Sequence, residues 1–333
     1  MAKMMGGLSV VTVCMNRREH LLRSAAAVAA WPWHDEHLVV DWSSAEPLRR
    51  EDLPADSRLR LLRVDGERCW NLSRSYNFAV AQSRGATLLK LDADCWPTAM
   101  LDPHDLLAIA TLWVGTGGEG RHGQFLMARE HFVRSGGFNE YMNGWGFEDK
   151  DLRARLSIKA SLQLEQLPAA AIGVIEHSDE ERMGEERAGT GQALQRSLGL
   201  ATMRSSRLAN RLLAAHCPWG VATPASCYQE EEPDHWRAVP GTLPRPSPDI
   251  ADEIDHARRM AFWSCFLAIP EVFLEELPIK LVPHPSPLGR WQVRWWHRLW
   301  WHSGRRLLQL PVLLLSLGRG RLEGLRRSAL ARP

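Results

Sequence analysis

The chain has 333 residues, 45% of them hydrophobic and 24% charged, with a formal net charge of +2. Such a length buries a full α/β core with sequence to spare, and such a balance excludes a disordered chain and any overall pull toward nucleic acid. The charge is uneven, however: Arg290–Pro333 holds ten arginines, no lysine and one acid, Glu323, so an electrostatic partner is expected at the C-terminal end.

Leu8–Cys14 (LSVVTVC) is a β-branched run without helical period, as in a buried parallel strand. A helix over about Arg18–Ala30 follows and stops before Pro32. His37–Asp41 and Leu59–Val64 read as strands, Trp70–Gln82 as a helix that breaks at Gly85, and Thr87–Leu91 as a strand running into Asp92-Ala93-Asp94. Strands alternating with helices predict an α/β fold, a parallel or mixed sheet wrapped by helices. Leu112–Gly120 then reads as a short strand and glycine-rich turn, Gln124–Arg129 as a strand, Gly144–Leu156 as a loop opening a helix, and Ile172–His177 as a last strand. Ser178–Gly191 is charged and poor in apolar residues, and Cys217–Pro248 carries seven prolines and the acidic run Glu230–Glu232. The expected organisation is a catalytic domain over 1–215, a Pro-rich linker or wrap over 216–250, and a mainly helical Trp/Arg-rich appendage over 251–333.

Six cysteines are scattered with no C-x-x-C pair, which argues against structural zinc and fits a reducing compartment. Met1–Val13 has one lysine and no apolar stretch of signal-peptide length, and no window has the roughly twenty apolar residues of a spanning helix. A cytoplasmic protein, peripheral at a membrane at most, is expected.

Two segments carry chemistry. Asp92 and Asp94 follow an apolar strand, and ligands of open α/β sheets bind at that edge; two carboxylates from one short segment suit a hard divalent cation bridging to a diphosphate. A solvated acidic turn is the plainer reading of this pair taken alone. Asn143-Gly144-Trp145-Gly146-Phe147-Glu148-Asp149 follows Gly136-Gly137-Phe138. Its glycines give the loop freedom and bring the indole of Trp145 close to a ligand, where its face suits a sugar ring. Glu148 and Asp149 fall in the first turn of a helix, whose dipole favours an ionised carboxylate able to act as general base; acids placed there for helix stability are the plainer alternative.

Asn16-Arg17-Arg18-Glu19-His20-Leu21 after the first strand resembles the opening of the β-1,4-galactosyltransferases and related family-2 transferases, and so does Asp92-Ala93-Asp94 after the fourth. Gly136-Gly137-Phe138 with Gly144–Asp149 is similar to that family's C-terminal signature, and His177, 28 residues after Asp149, matches the position of its metal-binding histidine. The resemblance spans about Leu8–Ser178. It implies the GT-A fold, an inverting hexosyl transfer in polysaccharide biosynthesis or a related pathway, a Mn²⁺ (or Mg²⁺) cofactor and a nucleotide-sugar donor, a UDP-sugar first. It further implies that Asp94 and His177 hold the metal, that Asp92 contacts donor ribose or sugar, that Arg17 faces the diphosphate, and that Asp41 holds the nucleoside. Asp149 is the implied base, with Glu148 and Trp145 at the acceptor, a glycan or glycolipid. Two departures stand out: Phe147 occupies a position where the family often has Gly, and Cys14-Met15 replaces an aromatic and an arginine.

A lone base needs no enzyme nucleophile and so goes with single displacement and inversion; Ser178–Gly191 is then expected to act as a lid over the bound donor. Retaining relatives commonly have Asn after the glutamate, and Asp149 speaks for inversion. A catalytically inactive relative that binds glycan or scaffolds an assembly is the alternative from another class, and the intact Asp92, Asp94, Asp149 and His177 argue against it. In the appendage, Arg290, Arg294 and Arg298 repeat at helical spacing beside Trp291, Trp295, Trp296 and Leu299. That composition suits a lipid interface through 290–306, or packing as a helical cap.

Overall fold

The computed structural model describes residues 6–103, 106, 111–117, 120–159, 161–175, 192–271, 274, 293–307, 311, 314 and 318. In chain order its principal elements are β1 (Leu8–Cys14), α1 (Arg18–Ala30), β2 (Glu36–Trp42), β3 (Leu59–Asp65), α2 (Leu72–Gln82), β4 (Thr87–Asp92) and β5 (Cys95–Pro97). There follow β6 (Thr111–Val114), β7 (Phe125–Ala128), α3 (Arg129–Arg134), α4 (Glu148–Lys159), β8 (Gln163–Gln166) and β9 (Ile172–Val174). The last are α5 (Gln192–His216), β10 (Tyr228–Glu232), β11 (His235–Ala238), α6 (Pro248–Leu267) and α7 (Trp295–Leu299).

Among the described residues one nine-stranded mixed sheet forms, in the order β10-β11-β3-β2-β1-β4-β7-β6-β8. All seven residues of β1 and all seven of β2 are buried, the polar Ser9, Thr12, Glu36, His37 and Asp41 among them, as in strands covered on both faces. β1 pairs parallel with β2 (Val11 opposite Leu38) and with β4 (Val11 opposite Lys90). The chain thus winds from β1 outward to β3, then returns to the other side of β1 with β4. The winding reverses between β1 and β4, and in open α/β sheets ligands bind at the carboxyl ends of the strands at such a point.

Helix α1 buries Leu21, Ser24, Ala25 and Val28, an i, i+3, i+4, i+7 stripe, and ends at Trp31, whose extended backbone is what the following Pro32 demands. Helix α2 is capped by Asn71, whose side chain accepts the N–H of Arg74 at 2.9 Å. One core cluster gathers Trp42, Tyr76, Phe78, Phe125 and Phe138; another lies around Leu89, Leu91 and Trp31.

Three elements differ from the sequence reading. Ile172–Val174 pairs with β5 in a separate two-stranded sheet rather than closing the main one. Helix α5 runs through 192–216, a stretch whose pattern had suggested no element. Within 216–250, β10 and β11 form an antiparallel pair, and β11 extends the main sheet parallel to β3. Proline spacing suggested irregular chain there, but Pro233 lies between the two strands at the turn, where it removes no ladder bond. The exposed Glu230–Glu232 run blunts the edge that β10 leaves open.

By contact the chain divides into two units, Met1–Arg182 with Ala209–Ile254, and Met183–Leu208 with Asp255–Pro333. The second has its own core of Leu194, Leu198, Phe262, Trp263, Phe266 and Trp301.

Candidate active site

At the carboxyl end of β1, Asn16 takes a left-handed conformation (φ 57°), and Ser43 does the same after β2 (φ 54°). The two loops are laced together: the Asn16 N–H donates to Ser44 Oγ at 3.0 Å, and Asn16 Oδ1 accepts the Ala45 N–H at 2.8 Å. Non-glycine residues held in this region cluster where a backbone is shaped for a ligand. Arg17, half-buried, heads α1 at this edge. Burial pushes the neighbouring Cys14 thiol up to about 12, so Cys14 is an inert packing group and not a nucleophile.

Asp41 stands on the same edge, but protein donors surround its carboxylate. It accepts the N–H groups of Ser44 (3.2 Å) and Leu48 (2.9 Å), and the Arg63 guanidinium at 2.7 Å. With a side chain only 1% exposed, Asp41 shapes the β2 loop from inside. Arg63 continues to Asp65 (2.6 Å), and Asp65 to His235 at 2.7 Å, a chain of charges that ties β2, β3 and β11 together.

The centre of the site lies on β4. Lys90 and Asp92, two apart and therefore on one face, form an ion pair of 2.7 Å. Lys90 Nζ also donates to the Gly123 carbonyl at 2.7 Å and lies 4.6 Å from the Tyr76 ring centroid. Asp92 further accepts from the Tyr76 hydroxyl (3.2 Å) and Gln124 Nε2 (2.8 Å). Burial raises the Asp92 carboxyl, but the Lys90 charge and these hydrogen bonds outweigh it and hold the group below the usual carboxylate range.

Asp149, in the first turn of α4, closes the group from the opposite side. A methyl group built on Gly123 would lie 3.0 Å from Asp149 Oδ2, 3.5 Å from Asp92 Oδ2 and 3.5 Å from Lys90 Nζ. A side chain there would press on Asp149 Oδ2, which would have to give by a few tenths of an ångström. Asp149 Oδ1 is shut away from solvent and has no hydrogen-bond partner among the described residues. Burial raises the Asp149 pKa, Lys90 lowers it, Asp92 raises it and Arg153 lowers it; the net direction is upward. Glu148 is pushed up to about 8 by burial and by the charge of Asp149. The third acid of the turn, Asp151, is committed to a buried ion pair with Arg155 at 2.7 Å.

Phe147, with φ 86°, occupies the left-handed turn from which α4 starts, and its carbonyl accepts the Asp151 N–H at 2.9 Å. Glycine would be at ease there, so the phenylalanine is carried at a backbone cost. Trp145, 45% exposed, stands at the tip of the loop. Two asparagines fix that loop. Asn210 of α5 accepts the Asn143 N–H (3.0 Å) and donates to the Gly146 carbonyl (2.8 Å), and Asn71 donates to the Met142 carbonyl at 2.9 Å. Gly137 is obligatory, since a Cβ would come within 2.3 Å of Asn77 Oδ1, which accepts the Phe138 N–H at 2.7 Å.

Asp94 is buried in the turn after β4, beside Cys95, whose Sγ lies 3.4 Å from its Oδ1. Its carbonyl accepts the N–H of Ile175 at 2.8 Å. His177, two residues on, lies outside the described residues, as does the expected lid at 178–191. Among the described residues no group of three or more His, Cys, Asp or Glu converges as a metal site.

The structure therefore brings Asp92, Asp149 and Glu148 together, sets Asp94 and Arg17 on the same sheet edge, and turns Asp41 inward. Sequence reasoning missed Lys90, Tyr76, Gln124 and Asn210. For Lys90 a signal existed: a single lysine inside the buried run TLLKL, at strand spacing from Asp92.

Residues 119–180 match the family profile described as the N-terminal domain of galactosyltransferase. A comparison with curated proteins gives no match. Among solved structures, the catalytic domain of Drosophila β1,4-galactosyltransferase 7 in complex with xylobiose is similar at 15% identity, covering 69% of this chain and 92% of that one, with a TM-score of 0.42. A Pyrobaculum calidifontis mannosyltransferase solved with GDP-Man and Mn²⁺ is similar at 13% identity over 92% of this chain and 86% of that one (TM-score 0.43). Glucosyl-3-phosphoglycerate synthase from Mycobacterium tuberculosis, solved with Mn²⁺, UDP and phosphoglyceric acid, is similar at 14% over 74% and 91% (TM-score 0.45). The profile match covers both the Gly-Gly-Phe and the Gly-Trp-Gly-Phe-Glu-Asp motifs, so over that segment, about a fifth of its length, the chain is similar to the galactosyltransferases.

Proposed function

We propose that the protein transfers a sugar from a UDP-sugar to a hydroxyl of a glycan or glycolipid, with inversion at the anomeric carbon and Asp149 as general base. One observation carries this reading: Asp149 Oδ1 is buried beside Asp92 and Lys90 without a partner among the described residues, on a carboxyl whose pKa is raised. A buried acceptor atom left unpaired costs roughly 1–3 kcal/mol, and a substrate hydroxyl would offset that cost by donating to it. A base with a pKa moved toward neutrality is also better matched to taking that proton.

Asp149 then removes the proton as the acceptor oxygen attacks C1, and the bond from C1 to the diphosphate oxygen breaks on the opposite face. Lys90 keeps Asp92 ionised and fixed at the donor side of the site. Arg17 offers its charge to the diphosphate, and Trp145 offers an indole face to the acceptor ring. Asp41 serves the nucleoside indirectly, by holding the loop from Ser43 to Leu48. Glu148, protonated at neutral pH, is a donor to the acceptor.

The residues present also fit a divalent cation. Asp94 supplies a carboxylate, and with the imidazole of His177, which lies outside the described residues, it would make a donor set that suits Mn²⁺. Bound there, the ion would neutralise charge on a departing diphosphate. Two of the similar proteins above were solved with Mn²⁺ and a nucleotide or nucleotide-sugar.

The test is thermal shift of wild type and Asp94→Ala with UDP-, GDP- and dTDP-sugars, with and without Mn²⁺, followed by anomer analysis of the product. A Mn²⁺-dependent shift with a UDP-sugar, lost in Asp94→Ala, and an inverted product are expected. No shift with any nucleotide sugar, or a retained anomer, overturns the reading.

A further inference from the structure

We propose that the second unit docks on an anionic lipid surface through its helical segment 294–307. From Val293 to Leu307 there is no acid. The inner side of this segment is accounted for. His297 stacks on Trp263 with centroids 4.0 Å apart, Trp301 is buried, and Trp300 Nε1 donates to the Leu267 carbonyl at 2.7 Å. These tryptophans form the cap of the unit's core.

The outer side is different. Trp295 is 74% exposed, Leu299 57%, Leu307 75% and Leu314 66%. Beside this apolar row runs a second one, Arg294, Arg298, His302 and Arg306, all exposed. The basic row steps by four residues, and in an ordinary α-helix each such step drifts about 40° around the axis. Here α7 passes into a π-helical turn, Trp300–Gly304. The wider i→i+5 bonding takes back part of that drift, so the exposed arginines and apolar side chains are kept to one side of the helix.

Basic residues flanking a strip that carries an exposed indole and leucines match the chemistry of an anionic bilayer surface. Arginines meet headgroup phosphates, the indole sits at their depth, and the leucines reach the acyl boundary. Nucleic acid would satisfy the basic row and leave the leucines in water. A second copy of the same face would set arginine against arginine. Among the described residues no helix is long and apolar enough to cross a membrane, so the contact is with a surface.

The experiment is flotation of the full chain with vesicles of phosphatidylcholine alone and of phosphatidylcholine mixed with phosphatidylglycerol. Binding to the mixed vesicles alone is expected, weakening with salt. Arg298→Gln and Arg306→Gln should each lower the partition coefficient about fivefold. Trp295→Ser with Leu299→Ser should lower it further and leave the residual binding purely salt-sensitive. All four side chains are exposed, so melting temperature and nucleotide-sugar binding should match wild type, which separates this test from that of the transfer reaction. Absence of binding to the mixed vesicles, or equal binding by the variants, overturns the proposal. So does concentration-dependent self-association that Trp295→Ser abolishes, because a second copy would then be the occupant.

Discussion

Lys90 puts an ammonium in the interior of a buried strand, and its removal tests the site from the side the sequence motifs do not mark. Lys90→Met leaves Asp92 without its 2.7 Å partner and removes the cation whose field acts on Asp149. Breaking a buried pair from one side costs about 3–5 kcal/mol, and the 34% exposure of the Asp92 side chain brings the expectation down to about 2 kcal/mol. Urea unfolding should show that loss, and adding Asp92→Asn should restore part of it; a neutral Lys90→Met would mean the ammonium is not paired in solution. Glu148 gives a second prediction, with a defined sign. Its carboxyl titrates near its ordinary 4.5 when unfolded and near 8 when folded. Between those values the folded state keeps a proton that the unfolded chain has released, so stability falls as pH rises from 4.5 to about 8. Glu148→Gln, which mimics the protonated acid, should melt with wild type at pH near 4.5 and be more stable above pH 8, by about 2 kcal/mol or ~5 °C. Melting curves across that range that stay parallel would remove the protonated Glu148 from the site.

At the scale of elements, the loop Asn143–Phe147 is positioned by a residue far along the chain, Asn210, whose side chain engages both Asn143 and Gly146. The Gly-Trp-Gly-Phe-Glu-Asp run was legible because its composition is local: glycines, an indole and two acids within six residues. Its clamp was not, since nothing in one sequence links Asn210 to a loop more than sixty residues earlier, and an asparagine inside a helix has no positional signature. The strands β1–β4 were legible for the same local reason, while β10 and β11 were hidden by prolines that signal turns without telling what lies between them. Asn210→Ala should cost about 1–2 kcal/mol in stability by leaving the Gly146 carbonyl and Asn143 N–H short of partners. The functional expectation is sharper: acceptor KM rises with the freed Trp145, and amide exchange over 143–147 accelerates, while donor binding is unchanged. An unaltered exchange rate would show that the loop is held by other means.

The molecule as a whole has separate apolar cores in its two units, one gathering Trp42, Tyr76 and Phe138, the other Phe262, Trp263 and Phe266. All the residues proposed to touch donor or acceptor belong to the first unit. A ligand stabilises only the unfolding step that destroys its site, by RT ln(1 + [L]/Kd). At about a hundredfold excess over Kd that amounts to ~2.7 kcal/mol, and roughly 5–10 °C for a unit of this size. Calorimetry with Mn²⁺ and the UDP-sugar is expected to raise the transition of the first unit and leave that of the second where it is. Phe262→Ala, a core truncation in the second unit, should do the reverse: lower its own transition by about 3 kcal/mol and leave the ligand-dependent one in place. If both perturbations move a single transition together, the two cores unfold as one.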